Sequence, residues 1–117
     1  MARPEPDLSA HAPLLRALGD EGRLRIVARL AASAASDGAM CVCDLMTGIE
    51  LSQPTVSHHL KVLKDAGVVR SERRGSWVYY SLELAILGSL GGLITALAPP
   101  LREASASASA SETKTAC

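Results

Sequence analysis

A mainly helical α+β domain, with about five helices and a two-stranded β-hairpin, is predicted for this chain of 117 residues by three observations. Apolar residues recur at helical spacing from Val56 to Leu63, inside a segment that carries both a start and a stop signal. Two β-prone runs, Val68-Val69-Arg70 and Trp77-Val78-Tyr79-Tyr80, follow directly and enclose a basic stretch. Elsewhere Ala and Leu dominate, Phe is absent and only Trp77, Tyr79 and Tyr80 are aromatic, which suits closely packed helices.

The segment from Ser52 to Leu82 organises the rest. Ser52 can cap a helix because its hydroxyl accepts from an orphan amide of the first turn. Pro54 falls in that turn, where its missing N–H is no loss. Val56, Leu60 and Leu63 then line one face with Val62 beside them, and Ala66-Gly67 supplies a left-handed stop. The opposite face carries Gln53, Thr55, Ser57, His58 and Lys61. Short donors and acceptors near a dipole-positive helix end suit base edges and phosphates in a major groove. A plain solvated helix face is the alternative. The hairpin favours the groove reading, because Arg73-Arg74-Gly75 at its tip would sit against the phosphate backbone or reach the minor groove. Helix, hairpin and basic tip together describe a winged helix-turn-helix. The expected DNA contacts are Ser52, Gln53, Thr55, Ser57, His58, Lys61, Arg73 and Arg74.

In chain order, residues 1–13 read as a flexible N-terminal arm with three prolines and no apolar run, so not as an export signal. Residues 14–98 form the folded domain, and 99–117 a disordered, low-complexity tail opened by Pro99-Pro100. A first helix spans Leu14 to Leu18 and ends at Gly19. Asp20-Glu21 opens a second, with acids where the dipole favours them. Leu24, Ile26, Val27 and Leu30 form its buried face, leaving Arg23, Arg25 and Arg29 mainly to solubility. Ala31 to Ala39 is a helix tail and loop. Leu45, Ile49 and Leu51 pack as the short first helix of the helix-turn-helix, with Gly48 near the turn. Leu84 to Leu97 is an apolar helix whose Gly88, Gly91 and Gly92 permit close approach, and it is too short to span a bilayer comfortably. A domain this small gains from burying that helix against a second copy.

Formal charge is zero, so distribution decides. Between Ser52 and Leu82 the cations Lys61, Lys64, Arg70, Arg73 and Arg74 face only Asp65 and Glu72, a basic module that a two-fold dimer would double. With no export or membrane signal the expected location is cytoplasmic, where the three cysteines stay reduced. Cys41 and Cys43 stand two apart, which on a regular helix is about 200° of rotation. They can share an ion only if the backbone there is irregular or unwinds. Two thiols beside Asp44 bring no packing gain, so a thiophilic ion is the expected ligand, with redox sensing and simple burial as alternatives.

SQPTVSHHLKVLKDAGVV, a basic hairpin and WVYYSL closely resemble the ArsR/SmtB-type metalloid- and metal-sensing bacterial repressors, over roughly Leu14 to Leu97. LLRALGDEGRLRIVARL also resembles the family's opening, where proline often stands at the equivalent of Gly22. CVCDL lies where arsenic-, cadmium- and lead-responsive members carry thiolates, so the resemblance implies As(III) or Sb(III) as inducer. The chain departs from the arsenite repressors at Met46, where a third cysteine often stands, and from the cadmium and lead members in having no cysteine among residues 1–39. Cys117 is the remaining thiol, either a third ligand carried by the tail or idle. Two thiols would also suit methylarsenite, or arsenite completed by a small thiol. The last helix, LAILGSLGGLITAL, lacks the His and Asp of the zinc site that other members carry there. His11 is expected to ligate nothing, and His59 to pack or bond internally.

The expected function is therefore a repressor with no constitutive cofactor and no catalytic residues. It binds double-stranded operator DNA as a homodimer through its first and last helices, with no membrane role, and leaves when As(III), Sb(III) or methylarsenite binds Cys41, Cys43 and Cys117, with Cd(II) or Pb(II) also possible. A thiol redox repressor and a winged-helix protein-interaction module are the competing readings. An enzyme is not expected, since no nucleophile–base pair or phosphate-cradling loop is present.

Overall fold

The computed structural model describes residues 6–33 and 38–98. Five helices and three strands follow in the order α1 (Leu8–Leu18), α2 (Glu21–Ser33), β1 (Met40–Cys41), α3 (Val42–Met46), α4 (Gln53–Asp65), β2 (Val69–Arg74), β3 (Trp77–Leu82) and α5 (Leu84–Leu97). This is the winged helix-turn-helix expected from the sequence: α3 and α4 form the helix pair, and β2 and β3 the wing.

α4 forms for the reasons its sequence states. The Ser52 hydroxyl accepts the Thr55 amide at 3.3 Å, and Pro54 occupies the first turn. The helix ends in a Schellman arrangement, with the Val68 amide on the Leu63 carbonyl at 2.9 Å and the Gly67 amide on that of Lys64 at 3.0 Å. Gly67 takes φ +87°, which an L side chain rarely adopts. The stop turns the chain directly into β2. Val56, Leu60 and Leu63 are fully buried with Ile26 and Leu30 of α2, Leu45 of α3 and Val68, and this cluster fixes α4 beneath the wing.

Several local expectations change. α1 begins at Leu8 rather than Leu14, because the Asp7 carboxylate caps it by accepting the Ala10 amide at 3.2 Å. Pro13 lies inside α1; Ser9, whose carbonyl loses its helical partner there, is exposed to water. On α2 only Ile26 and Leu30 are buried; Leu24, about 200° round the helix from Ile26, is 50% exposed. α3 stops at Met46, and Ile49 reaches the core from the loop beyond it.

The wing is longer than its β-prone runs suggested. β2 and β3 pair antiparallel from Val69↔Leu82 to Arg74↔Trp77, so Arg73 and Arg74 close a strand and only Gly75-Ser76 form the turn. A third strand joins the other side of β3, with Met40 opposite Tyr80 and Cys41 opposite Tyr79. Two residues are too few to carry a strand period in a sequence.

Candidate nucleic-acid interface and thiol site

The outer face of α4 is open. Gln53, Ser57, His58 and Lys61 are exposed and Thr55 is half-buried. Ser52 and Thr55 share a hydroxyl–hydroxyl hydrogen bond of 2.9 Å beside the cap, so both are held in place by the helix start itself. Lys61 pairs with Asp65 one turn on at 3.1 Å, a solvent-exposed bridge worth about 0.3–0.5 kcal/mol that a phosphate readily replaces.

Strand alternation sends the two wing arginines to opposite faces. Arg74 lies with Glu72, Tyr79 and Trp77 on the face away from the buried Val69–Leu82 pair. Its guanidinium sits 4.6 Å from the Tyr79 ring centroid and donates from Nη2 to Glu72 Oε1 at 3.1 Å. Arg70, on the same face, pairs with Glu83 at 3.1 Å. Arg73 points the other way, is exposed, and has no ion-pair partner among the described residues. The two are not equivalent: Arg73 is available to a phosphate as it stands, whereas Arg74 is also part of the wing's own packing. Arg73→Ala should accordingly weaken duplex binding and lower the salt slope by about one, with no loss of melting temperature, as read by anisotropy across a salt series.

Two arginines of α2 do more than solubilise. Arg29 donates to the Asp44 carbonyl at 2.8 Å, tying α2 to α3. Arg23 donates from Nε to the Ala17 carbonyl, and its Nη1 lies 3.3 Å from Nδ1 of His59. His59 is held internally as expected, with Nε2 3.6 Å from Asp20 Oδ2. The Asp20 carboxyl is held below its usual range chiefly by the Arg23 amide it accepts at 3.1 Å, aided by the positive charge of Arg23. A lowered carboxylate pKa adds stability above the usual carboxylate range that disappears as pH falls through the lowered value. Melting temperature should therefore fall less steeply below about pH 4 in Asp20→Asn than in the parent. His11 links α1 to α5, as its Nδ1 donates to the Asp7 carbonyl at 2.6 Å and its Nε2 meets Ser89 Oγ of α5 at 2.9 Å.

Cys41 ends β1 and is the residue before α3, with extended backbone (φ −82°, ψ 168°). The helical rotation that would separate the two thiols therefore does not apply. Cys41 is 9% exposed and donates to Asp44 Oδ2 at 3.3 Å, while Cys43 is exposed on α3. Both are free thiols. Among the described residues no group of three His, Cys, Asp or Glu side chains is placed to hold a metal, and Cys117 lies outside them. Thiolate sulfur is a soft donor, but in this structure the Cys41 thiol is engaged with Asp44.

No helix of the described residues is long and apolar enough to cross a membrane. α1 and α5 nevertheless leave apolar side chains exposed: Leu8, Leu15, Leu84, Ile86, Ile94 and Leu97. On α5, Gly88, Gly91 and Gly92 have open space where a Cβ would stand.

Comparison with known proteins agrees with this geometry. Residues 20–71 match the model of the bacterial regulatory protein, arsR family. An uncharacterized HTH-type transcriptional regulator, MJ1325 of Methanocaldococcus jannaschii, is 42% identical over 69 residues, covering 59% of this chain and 73% of that protein. The arsenic resistance transcriptional regulator ArsR1 of Pseudomonas putida is 42% identical over 69 residues, 59% of this chain and 51% of its own length. The match thus spans only about half of that relative. The crystal structure of a possible transcriptional regulator for arsenical resistance superposes with a TM-score of 0.61 at 29% identity, over 71% of this chain and 81% of that one. The chain belongs to the arsR family of DNA-binding bacterial transcriptional regulators and is not an enzyme.

Proposed function

We propose that this chain is a cytoplasmic, metalloid-responsive repressor, a homodimer that holds a two-fold operator and leaves it when As(III), Sb(III) or methylarsenite binds Cys41 and Cys43. The observation that carries this reading is the position of Cys41, buried at the junction of β1 with α3 while Cys43 stands exposed on α3. An ion gathering both thiols draws Cys41 away from Asp44. That displacement strains β1, which is paired to the wing, and α3, which packs against α4. Both DNA-binding elements are moved by one event. Release requires that the bound state favour the DNA-incompetent arrangement by about 1–3 kcal/mol or more.

The apolar side chains left exposed on α1 and α5 support the dimer, since a second copy would cover them, and the open glycines of α5 permit close approach. The two α4 helices would then read half-sites about one helical turn or more apart. The names of the arsenic-related relatives support a metalloid over a hard cation, and Cd(II) and Pb(II) remain inducers to compare.

Fluorescence anisotropy of a duplex selected from a random pool by the protein tests this, with arsenite, antimonite, methylarsenite, cadmium and lead titrated separately. Trp77, the single tryptophan, is 55% exposed on the wing and gives a second signal by its emission. Release by a metalloid supports the reading. Release only by an oxidant, reversed by a dithiol, would replace it with redox sensing. Failure to bind any duplex would leave a protein-interaction module.

A further inference from the structure

α4 is gripped mainly by apolar contacts, which are not directional. Val56, Leu60 and Leu63 hold α4 in the core but make no directional bond that sharpens its rotation about its own axis. That angle matters at the outer face. A rotation of about 20° on a radius of roughly 6 Å moves side-chain ends by ~2 Å, more than a hydrogen bond tolerates. Something directional has to set the angle.

His59 supplies it. Its side chain is 12% exposed and projects from α4 into the start of α2. There Nδ1 lies 3.3 Å from Arg23 Nη1 and Nε2 lies 3.6 Å from Asp20 Oδ2. Arginine only donates, so Nδ1 is the accepting nitrogen and the Nε2–H faces the carboxylate. Asp20 and Arg23 are themselves locked, by the Arg23 amide on the Asp20 carboxylate at 3.1 Å and by Arg23 Nε on the Ala17 carbonyl. Gly22 makes the seat possible. A Cβ there would stand 2.9 Å from His59 Nε2 and 3.2 Å from Asp20 Oδ2, closer than the imidazole allows. His58, the neighbouring residue on α4, is exposed on the face read as the DNA surface.

We propose that His59 is a positioning residue for DNA recognition: seated among Asp20, Gly22 and Arg23, it sets the rotation of α4 and so the aim of its groove-facing side chains. The proposal rests on the reading of α4 as the recognition helix and is independent of any inducer.

The test uses the full chain, a duplex that the parent selects from a random pool, and a shuffled duplex of the same length. Gly22→Ala should weaken the selected duplex by roughly tenfold, the loss of one base contact. Binding to the shuffled duplex, which is largely electrostatic, should stay within about twofold. His59→Ala should behave alike, and the double variant should lose no more than either single one, because both empty the same seat. Gln places a donor where Nε2 stands, so His59→Gln should recover most of the affinity lost in His59→Ala. Parallel weakening of both duplexes, additive losses, or parent-like selectivity in Gly22→Ala and His59→Ala would each overturn the proposal. Should Gly22→Ala fail to fold by circular dichroism, the contrast of His59→Gln with His59→Ala decides: equal losses overturn it and recovery upholds it. Failure of the parent to prefer any duplex would overturn the recognition-helix reading itself, and this proposal with it.

Discussion

Cys43→Ser is expected to bind operator DNA as tightly as the parent and to stay bound when arsenite is added. Cys43 is exposed, so its replacement removes no packing, and the hydroxyl is a far poorer ligand than a thiolate for a soft ion. In the parent, inducer binding should weaken DNA affinity by about 5–150-fold, the usual span of a coupling free energy. In Cys43→Ser that factor should fall to about one. Cys41→Ser should lose the response as well, with a modest drop in melting temperature because a half-satisfied hydroxyl replaces a buried thiol. A full response to arsenite in either variant, by anisotropy, would remove these thiols from the site. Cys117→Ser then separates the two remaining geometries: lost release makes the last residue a ligand, and unchanged release leaves a two-thiol site.

Ile94→Asp is expected to halve the solution mass and lower operator affinity by about 10²-fold or more, because two linked half-site contacts become one. Ile94 is 50% exposed on α5, so the substitution leaves the protomer's own core intact. In the proposed dimer the same carboxylate is buried between apolar helices, where an unpaired charge is strongly disfavoured. Leu24→Asp is the matched control, since Leu24 is equally exposed but lies on α2. Light scattering on both variants decides the matter. An unchanged mass for Ile94→Asp would show that α1 and α5 meet no second copy, and equal dissociation by Leu24→Asp would deny those helices their special role.

Much of this fold was legible from neighbours in the chain. The cap at Ser52, the apolar spacing through Leu63, the left-handed Gly67 and the β-prone runs around the basic stretch all act over a few residues, and each appears in the structure where the local chemistry puts it. The start of α1 also has a local signal, since Asp7 is an ordinary capping residue, though the nearby prolines mask it. The short strand β1 had no signal to read, as two residues gain strand character only from Tyr79 and Tyr80 across the sheet.

Local chemistry settles the order of the elements, the candidate recognition surface on α4 and the pair of thiols before it, because propensity, capping and periodicity act between adjacent residues. Tertiary structure alone decided that Cys41 is buried against Asp44 and joined to the wing, that Arg74 is engaged by Glu72 and Tyr79 while Arg73 is not, and that His59 sits in the gap left by Gly22. These outcomes depend on which side chains meet across turns and between helices. Some of these contacts join residues 37 and 38 positions apart, Gly22 with His59 and Cys41 with Tyr79, a distance over which no local preference acts.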